Sequence, residues 1–184
     1  MNFNQTDLSN TMRMLWEQHV FWTRLLIISI LESLKDLDAT QNRLLRNPID
    51  FGYLFGQFYG NEVEKIVTDL LTEHLTIGVQ LVTAYKNNNQ SDIQKLNALW
   101  YDNANRMSQA FASINPYYIE EELRDMLYIH LDLTKNEVSL RMQRKYEEDT
   151  ANFDQIEQSA LAMADYFTQG IINQFLSVFS YSFY

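Results

Sequence analysis

The chain has 184 residues, 46% of them hydrophobic and 14% aromatic, which is enough apolar surface for the core of one domain spanning 1–184 and too much for a disordered chain. Twenty-four acidic against fourteen basic residues leave a net charge of −10, and the bases are scattered along the chain, which argues against nucleic acid and anionic membrane as partners. With no cysteine, disulfides, thiolate metal sites and cysteine nucleophiles are excluded.

Five glycines and two prolines supply too few turns for a sheet protein and predict an all-α fold. The expected arrangement is an up-down bundle of about five long helices with a short-helix crossover between the first two. The polar start MNFNQTDLSN does not read as a secretory signal. The first long helix is expected over 9–35, with Met12, Leu15, His19, Trp22, Leu26 and Ile30 as its core stripe. Its most apolar run, VFWTRLLIISILESL, is cut by Arg24, Ser29 and Glu32, far short of the roughly 20 apolar residues of a membrane span. A buried helix and a cytoplasmic location are therefore expected.

The crossover, 36–60, reads as two short helices, the second opened by Asn47 as N-cap with Pro48 at the first helical position and closed near Gly60. The second long helix, 62–86, has the seam Val63, Ile66, Leu70, His74, Ile77, Leu81 and Ala84. After the NNNQ turn, Ser91 and Gln94 read as a capping box. The third seam is then Ile93, Leu96, Trp100, Asn103, Met107, Ala110 and Ile114, with Asn103 its one polar member. Asn115-Pro116 repeats the cap-then-proline signal and predicts that the fourth helix starts at once, with Ile119, Leu123, Met126, His130 and Leu133 on its seam and an end near 146. The polar run EEDTAN is expected to break the chain before a fifth helix, 153–179, which carries Asp165 towards the edge of its apolar face.

His19, His74, Asn103, His130 and Asp165 each lie about 10 to 14 residues into a helix, so at 1.5 Å per residue they fall within roughly 6 Å of one another in depth. A buried polar group without a partner costs about 1–3 kcal/mol, and clustering relieves that cost. Three neutral imidazoles and a carboxylate suit a single divalent ion, Zn, Fe or Mn, held between facing helices. His19, His74, His130 and Asp165 are the candidate ligands. Asn103, Thr23 and Thr134 are candidates to orient them, the threonines lying one turn beyond His19 and His130. The same threonines are equally well placed to bond their own i−4 carbonyls. Glu17, Glu73 and Asp132 flank the histidines at offsets that point elsewhere. No E-x-x-H, H-x-x-x-H or H-E-x-x-H spacing occurs, which argues against a dinuclear centre.

A second reading stands beside the metal site: a non-enzymatic structural or interaction bundle whose buried His/Asn/Asp layer only sets register. Neither reading selects a reaction, a catalytic residue or a small-molecule ligand, and homo-oligomers stay open.

The strings HVFWTRLLIISILESLKDLDAT, RNPIDFG, LLTEHLTIG, WYDNAN, SINPYY, MLYIHLDLT and MADYFTQGII resemble a group of uncharacterised bacterial all-helical proteins, over roughly residues 15–175. Some members of that group carry the label acetylglutamate kinase. That activity needs strands, a glycine-rich phosphate loop and lysines aimed at the phosphates. Five glycines with no G-x-G or G-G do not supply them, so the resemblance implies a helical fold and no kinase chemistry.

Overall fold

The structure, a computed structural model, describes residues 4–179; both ends of the chain, including the first three residues of the polar start, lie outside the described residues. The regular elements are α1 (Gln5–Leu31), α2 (Leu37–Leu44), α3 (Asn47–Tyr59), α4 (Asn61–Lys86), α5 (Gln90–Ile114), α6 (Glu120–Met142), α7 (Tyr146–Gln174) and α8 (Leu176–Phe179). No strand occurs among the described residues. Five helices have between 23 and 29 residues. Among these, α4 packs on α5, α5 on α6, α6 on α7 and α7 on α1, while α1 also touches α4. Residues from all five, with Phe51, Leu54 and Phe55 of α3, form the main apolar core. A smaller cluster joins Leu26, Ile27 and Ile30 of α1 to Leu44, Leu75, Val82 and Val138. No described helix is long and apolar enough to cross a membrane.

Several helix ends differ from the sequence reading, each for a local reason. Asn4 caps α1 by accepting from the Asp7 amide at 2.8 Å, so the helix starts ahead of Ser9. It stops at Leu31, short of 35, because Ser33 takes φ 57° and the Leu34 amide returns to the Ser29 carbonyl at 3.0 Å, a left-handed stop. Asn47 does not cap α3: it sits inside the first turn beside Pro48 and its side chain makes no cap bond. Ser91 and Gln94 form no capping box, since Asn89 caps α5 through the Asp92 amide at 3.3 Å.

Asn115-Pro116 does not open a helix either. The Asn115 side chain accepts from the Tyr117 amide at 2.8 Å, a local turn, and α6 begins only at Glu120 with Glu120, Glu121 and Glu122 in its first turn. The intervening Tyr118 is buried, donating its hydroxyl to the Phe167 carbonyl at 2.6 Å. EEDTAN breaks nothing: it is the start of α7, where Glu147, Glu148 and Asp149 suit the positive end of the helix dipole. Arg144, at φ 59°, makes the turn before it.

The FGYLFGQFYG run covers the core as α3 through its glycines. A Cβ at Gly52 would lie 1.9 Å from Thr68 Oγ1 and 2.7 Å from the Glu64 carbonyl, and one at Gly56 would lie 2.5 Å from Glu64 Oε2. These two positions let α3 lie directly on α4, and Gly60, at φ 86°, reverses the chain between them.

Candidate metal centre

His19 of α1, His74 of α4 and His130 of α6 lie near the middle of their helices, each 2% exposed. Their ring centroids are 5.4 to 6.2 Å apart, and one ring nitrogen from each lies within 4.8 Å of the others. Nitrogens held tetrahedrally at about 2.1 Å from one ion are about 3.4 Å apart. The three nitrogens therefore stand somewhat wider apart than a shared ion would draw them.

Two asparagines fix two of the rings, and they do so in the same way. Asn47 on α3 places Oδ1 3.0 Å from His19 Nδ1, and its Nδ2 donates to the Leu15 carbonyl at 2.9 Å. Asn103 on α5 places Oδ1 2.9 Å from His74 Nδ1, and its Nδ2 donates to the Leu70 carbonyl at 3.1 Å. In both, the carbonyl belongs to the residue one turn before the histidine. That carbonyl accepts only, so the amide cannot be flipped, Oδ1 must face the ring, and Nδ1 must carry the proton. The lone pair of each neutral ring then sits on Nε2, the arrangement found where a histidine ligates metal and an outer partner holds its other nitrogen. His130 differs: its Nδ1 is buried without a hydrogen-bond partner.

Burial holds all three rings neutral. It pushes His19 down to about 4, with the Asn47 bond opposing. It pushes His74 down to about 3, His19 adding to the effect, and takes His130 well below its ordinary value, helped by His19 and His74. Trp16 meets His19 and His130 edge-on, at centroid distances of 5.5 and 6.4 Å. Trp100 lies 5.3 Å from His74 and donates its Nε1–H to the His74 carbonyl at 3.1 Å.

Asp165 is not brought to the cluster. It is exposed on α7 and paired with Arg13 at 2.6 Å. The inward face of α7 is Ala160, Met163, Ala164, Phe167 and Ile171, and Phe167 stacks on Trp16 at 6.0 Å, so α7 presents a hydrophobic wall where a fourth ligand was expected. Asn103 lies against His74 as described. Thr134 donates to the His130 carbonyl at 2.8 Å, its own i−4 group. Thr23 Oγ1 makes no such bond and is buried without a partner. Of the flanking acids, Glu73 bonds Asn103 Nδ2 at 3.3 Å and Arg106 at 2.6 Å, so one carboxylate reaches His74 through the asparagine.

All three imidazoles, with Thr23 and Thr134, line one cavity whose other walls are mostly aliphatic, among them Leu26, Ile27, Leu75 and Val82. The centre of a water molecule is free to move within about 30 Å³ of it, room for at least one or two waters.

Sequence reasoning missed Asn47 by reading it as a helix cap. The signal available was separation: Asn47 follows His19 by 28 residues and Asn103 follows His74 by 29. It also missed a second buried cluster. Arg24 bonds Glu137 at 2.5 Å and both oxygens of Asp149 at 3.0 Å, while Arg141 reaches Asp149 at 3.2 Å and Glu32 at 3.6 Å.

Fold and site together define an all-helical protein with a buried triad of neutral imidazoles, close enough to hold one metal ion. No family model, curated protein or solved structure matches this chain.

Proposed function

We propose that this chain is a metalloprotein, an up-down helical bundle that holds one divalent transition-metal ion through Nε2 of His19, Nε2 of His74 and a ring nitrogen of His130. Asn47 and Asn103 orient the first two ligands. The observation that carries the reading is the pair of asparagines: each uses a backbone carbonyl to force the proton onto Nδ1 and so leaves the other nitrogen of a buried ring as a free donor. A register-setting His/Asn/Asp layer accounts for the His19–Asn47 and His74–Asn103 bonds but leaves His130 Nδ1 without a partner and Asp165 outside it. With Asp165 on the surface the donor set is all nitrogen, which favours Zn or Fe over Mn. Three ligands leave a coordination position toward the cavity, suited to Lewis-acid or redox chemistry on a small molecule.

Metal analysis of protein purified without a histidine tag tests the reading, with one ion per chain expected. Chelation should lower the melting temperature, since an ion that binds only the native state stabilises it by about 2.7 kcal/mol at a hundredfold excess over its dissociation constant. His74→Ala should abolish that difference. Identical melting of wild type with and without chelator, at a measured metal content of zero throughout, would overturn it.

A further inference from the structure

The proposed ion brings a charge problem that the protein does not solve. Three neutral imidazoles leave a divalent ion with its full charge, and no aspartate or glutamate lines the cavity. The one charged lining group is Lys135, whose amine is taken by Asp132 and Tyr101 at 3.0 and 2.7 Å. Glu73 offers only an indirect influence through Asn103 and is itself held by Arg106. A bare dication in so apolar a place is costly unless an anion accompanies it. Apart from the His130 ring, the cavity also holds an unanswered polar group, the Thr23 hydroxyl, buried without a partner one turn beyond His19. Beyond these groups, Thr134, Tyr85 and Trp100 its walls are aliphatic.

Resting on the metal reading above, we propose that the cavity binds a short-chain monocarboxylate, its carboxylate on the ion, the Thr23 hydroxyl donating to the carboxylate, and its alkyl end against Leu26, Ile27, Leu75 and Val82. Each property of the ligand answers one property of the site. Its single negative charge offsets the ion. Its second oxygen accepts from Thr23, and its hydrocarbon end matches walls that a diacid or a hydroxy acid would meet with an unpaired polar group. The small size of the space limits the chain to a few carbons.

The test uses the full chain loaded with Co²⁺, whose visible spectrum reports its coordination, titrated with formate, acetate and propionate. The expected result is a shared spectral change with affinity rising about fourfold per added methylene. Malonate should bind more weakly than propionate. Thr23→Val should weaken acetate about five- to tenfold while leaving Co²⁺ affinity unchanged, and Thr23→Ser should restore it. Thr134→Val, which removes a hydroxyl already used by the His130 carbonyl, should leave acetate affinity within twofold. If Co²⁺ binds one per chain but its spectrum ignores every carboxylate, or affinity does not depend on chain length, the ligand proposal is overturned and the metal site stands. If no Co²⁺ binds, the site itself fails and the ligand with it.

Discussion

On α1, Arg24 follows His19 by little more than a turn, and on α6, Glu137 follows His130 by about two turns. The same pair of helices thus carries two buried polar clusters, built in opposite ways. In the arginine–carboxylate cluster two guanidinium groups face two buried carboxylates, Glu137 and Asp149, with Glu32 at its rim, and most of the donors find acceptors. Its charges are matched from within, and Arg141 Nε is the one nitrogen of the two guanidinium groups buried without a partner. In the histidine cluster the asparagines answer two Nδ1 protons, His130 Nδ1 has no partner among the described residues, and a cavity adjoins all three rings. Burial of polar groups is thus no sign of function by itself. What separates the two is whether the groups complete one another or leave donors directed at a space.

Acidification should give the largest effect and should separate the clusters by sign. A histidine whose native pKa lies below its ordinary 6.5 contributes no penalty at higher pH. As pH falls, the unfolded chain takes up the proton first, so stability is lost from 6.5 downward, towards about 4 for His19 and about 3 for His74. Each such histidine contributes about 1.4 kcal/mol per pH unit, so three give about 4 kcal/mol per unit near pH 5. Glu137 acts the other way. Burial pushes it up to about 7 from 4.5, so between those values the native state keeps a proton that the unfolded chain releases, and stability gains as pH falls. Urea unfolding of the chelated protein between pH 7 and 5 should show a steep net loss, and Glu137→Gln should make it steeper. A flat profile for wild type would mean that the histidines are not buried neutral groups.

Arg24→Ala comes next. It leaves Glu137 without a partner and Asp149 with only Arg141, and should cost about 3–5 kcal/mol. The loss should be the same with and without chelator, because both buried carboxylates are already paired by arginines. A loss that appears only in metal-loaded protein would merge the two clusters into one functional unit.

Asn47→Ala and Asn103→Ala sharpen the comparison from the histidine side. Each frees a ring that its carbonyl-anchored amide had fixed, and each should lower zinc affinity about 10- to 100-fold, read by competition with a chromophoric chelator. Unchanged affinity in both variants would reduce the asparagines to packing. The smallest effect is expected from Asp165→Ala, which breaks an exposed pair with Arg13: no more than about 1 kcal/mol of stability, and no change in zinc affinity. A large loss of metal would return Asp165 to the site.

Much of this was legible from spacing. The 3-4 recurrence of apolar residues marked all five long segments, and the midpoints of those segments put His19, His74, His130 and Asn103 at one depth. Other features were not legible. Asn47 carries the same local signal, asparagine before proline, whether it caps a helix or reaches across to a histidine on α1. Asp165 sits at the edge of an apolar stripe, where about 100° of rotation per residue separates a ligand from a surface ion pair. EEDTAN read as polar and therefore as a break, yet Asp149 within it is buried between two arginines.

The amino-acid sequence by itself determined the helical class, the helices that bury each histidine, and the level at which those histidines lie, because helical period and rise are local properties of the backbone. Only the tertiary structure decided which polar residues meet: Asn47 against His19, Asn103 against His74, Arg24 between Glu137 and Asp149, and Asp165 turned outward to Arg13. Those pairings depend on how each helix is rotated about its axis against its neighbours. That rotation is set by the packing of the whole core, and by glycines such as Gly52 that let α3 approach α4, rather than by any single segment.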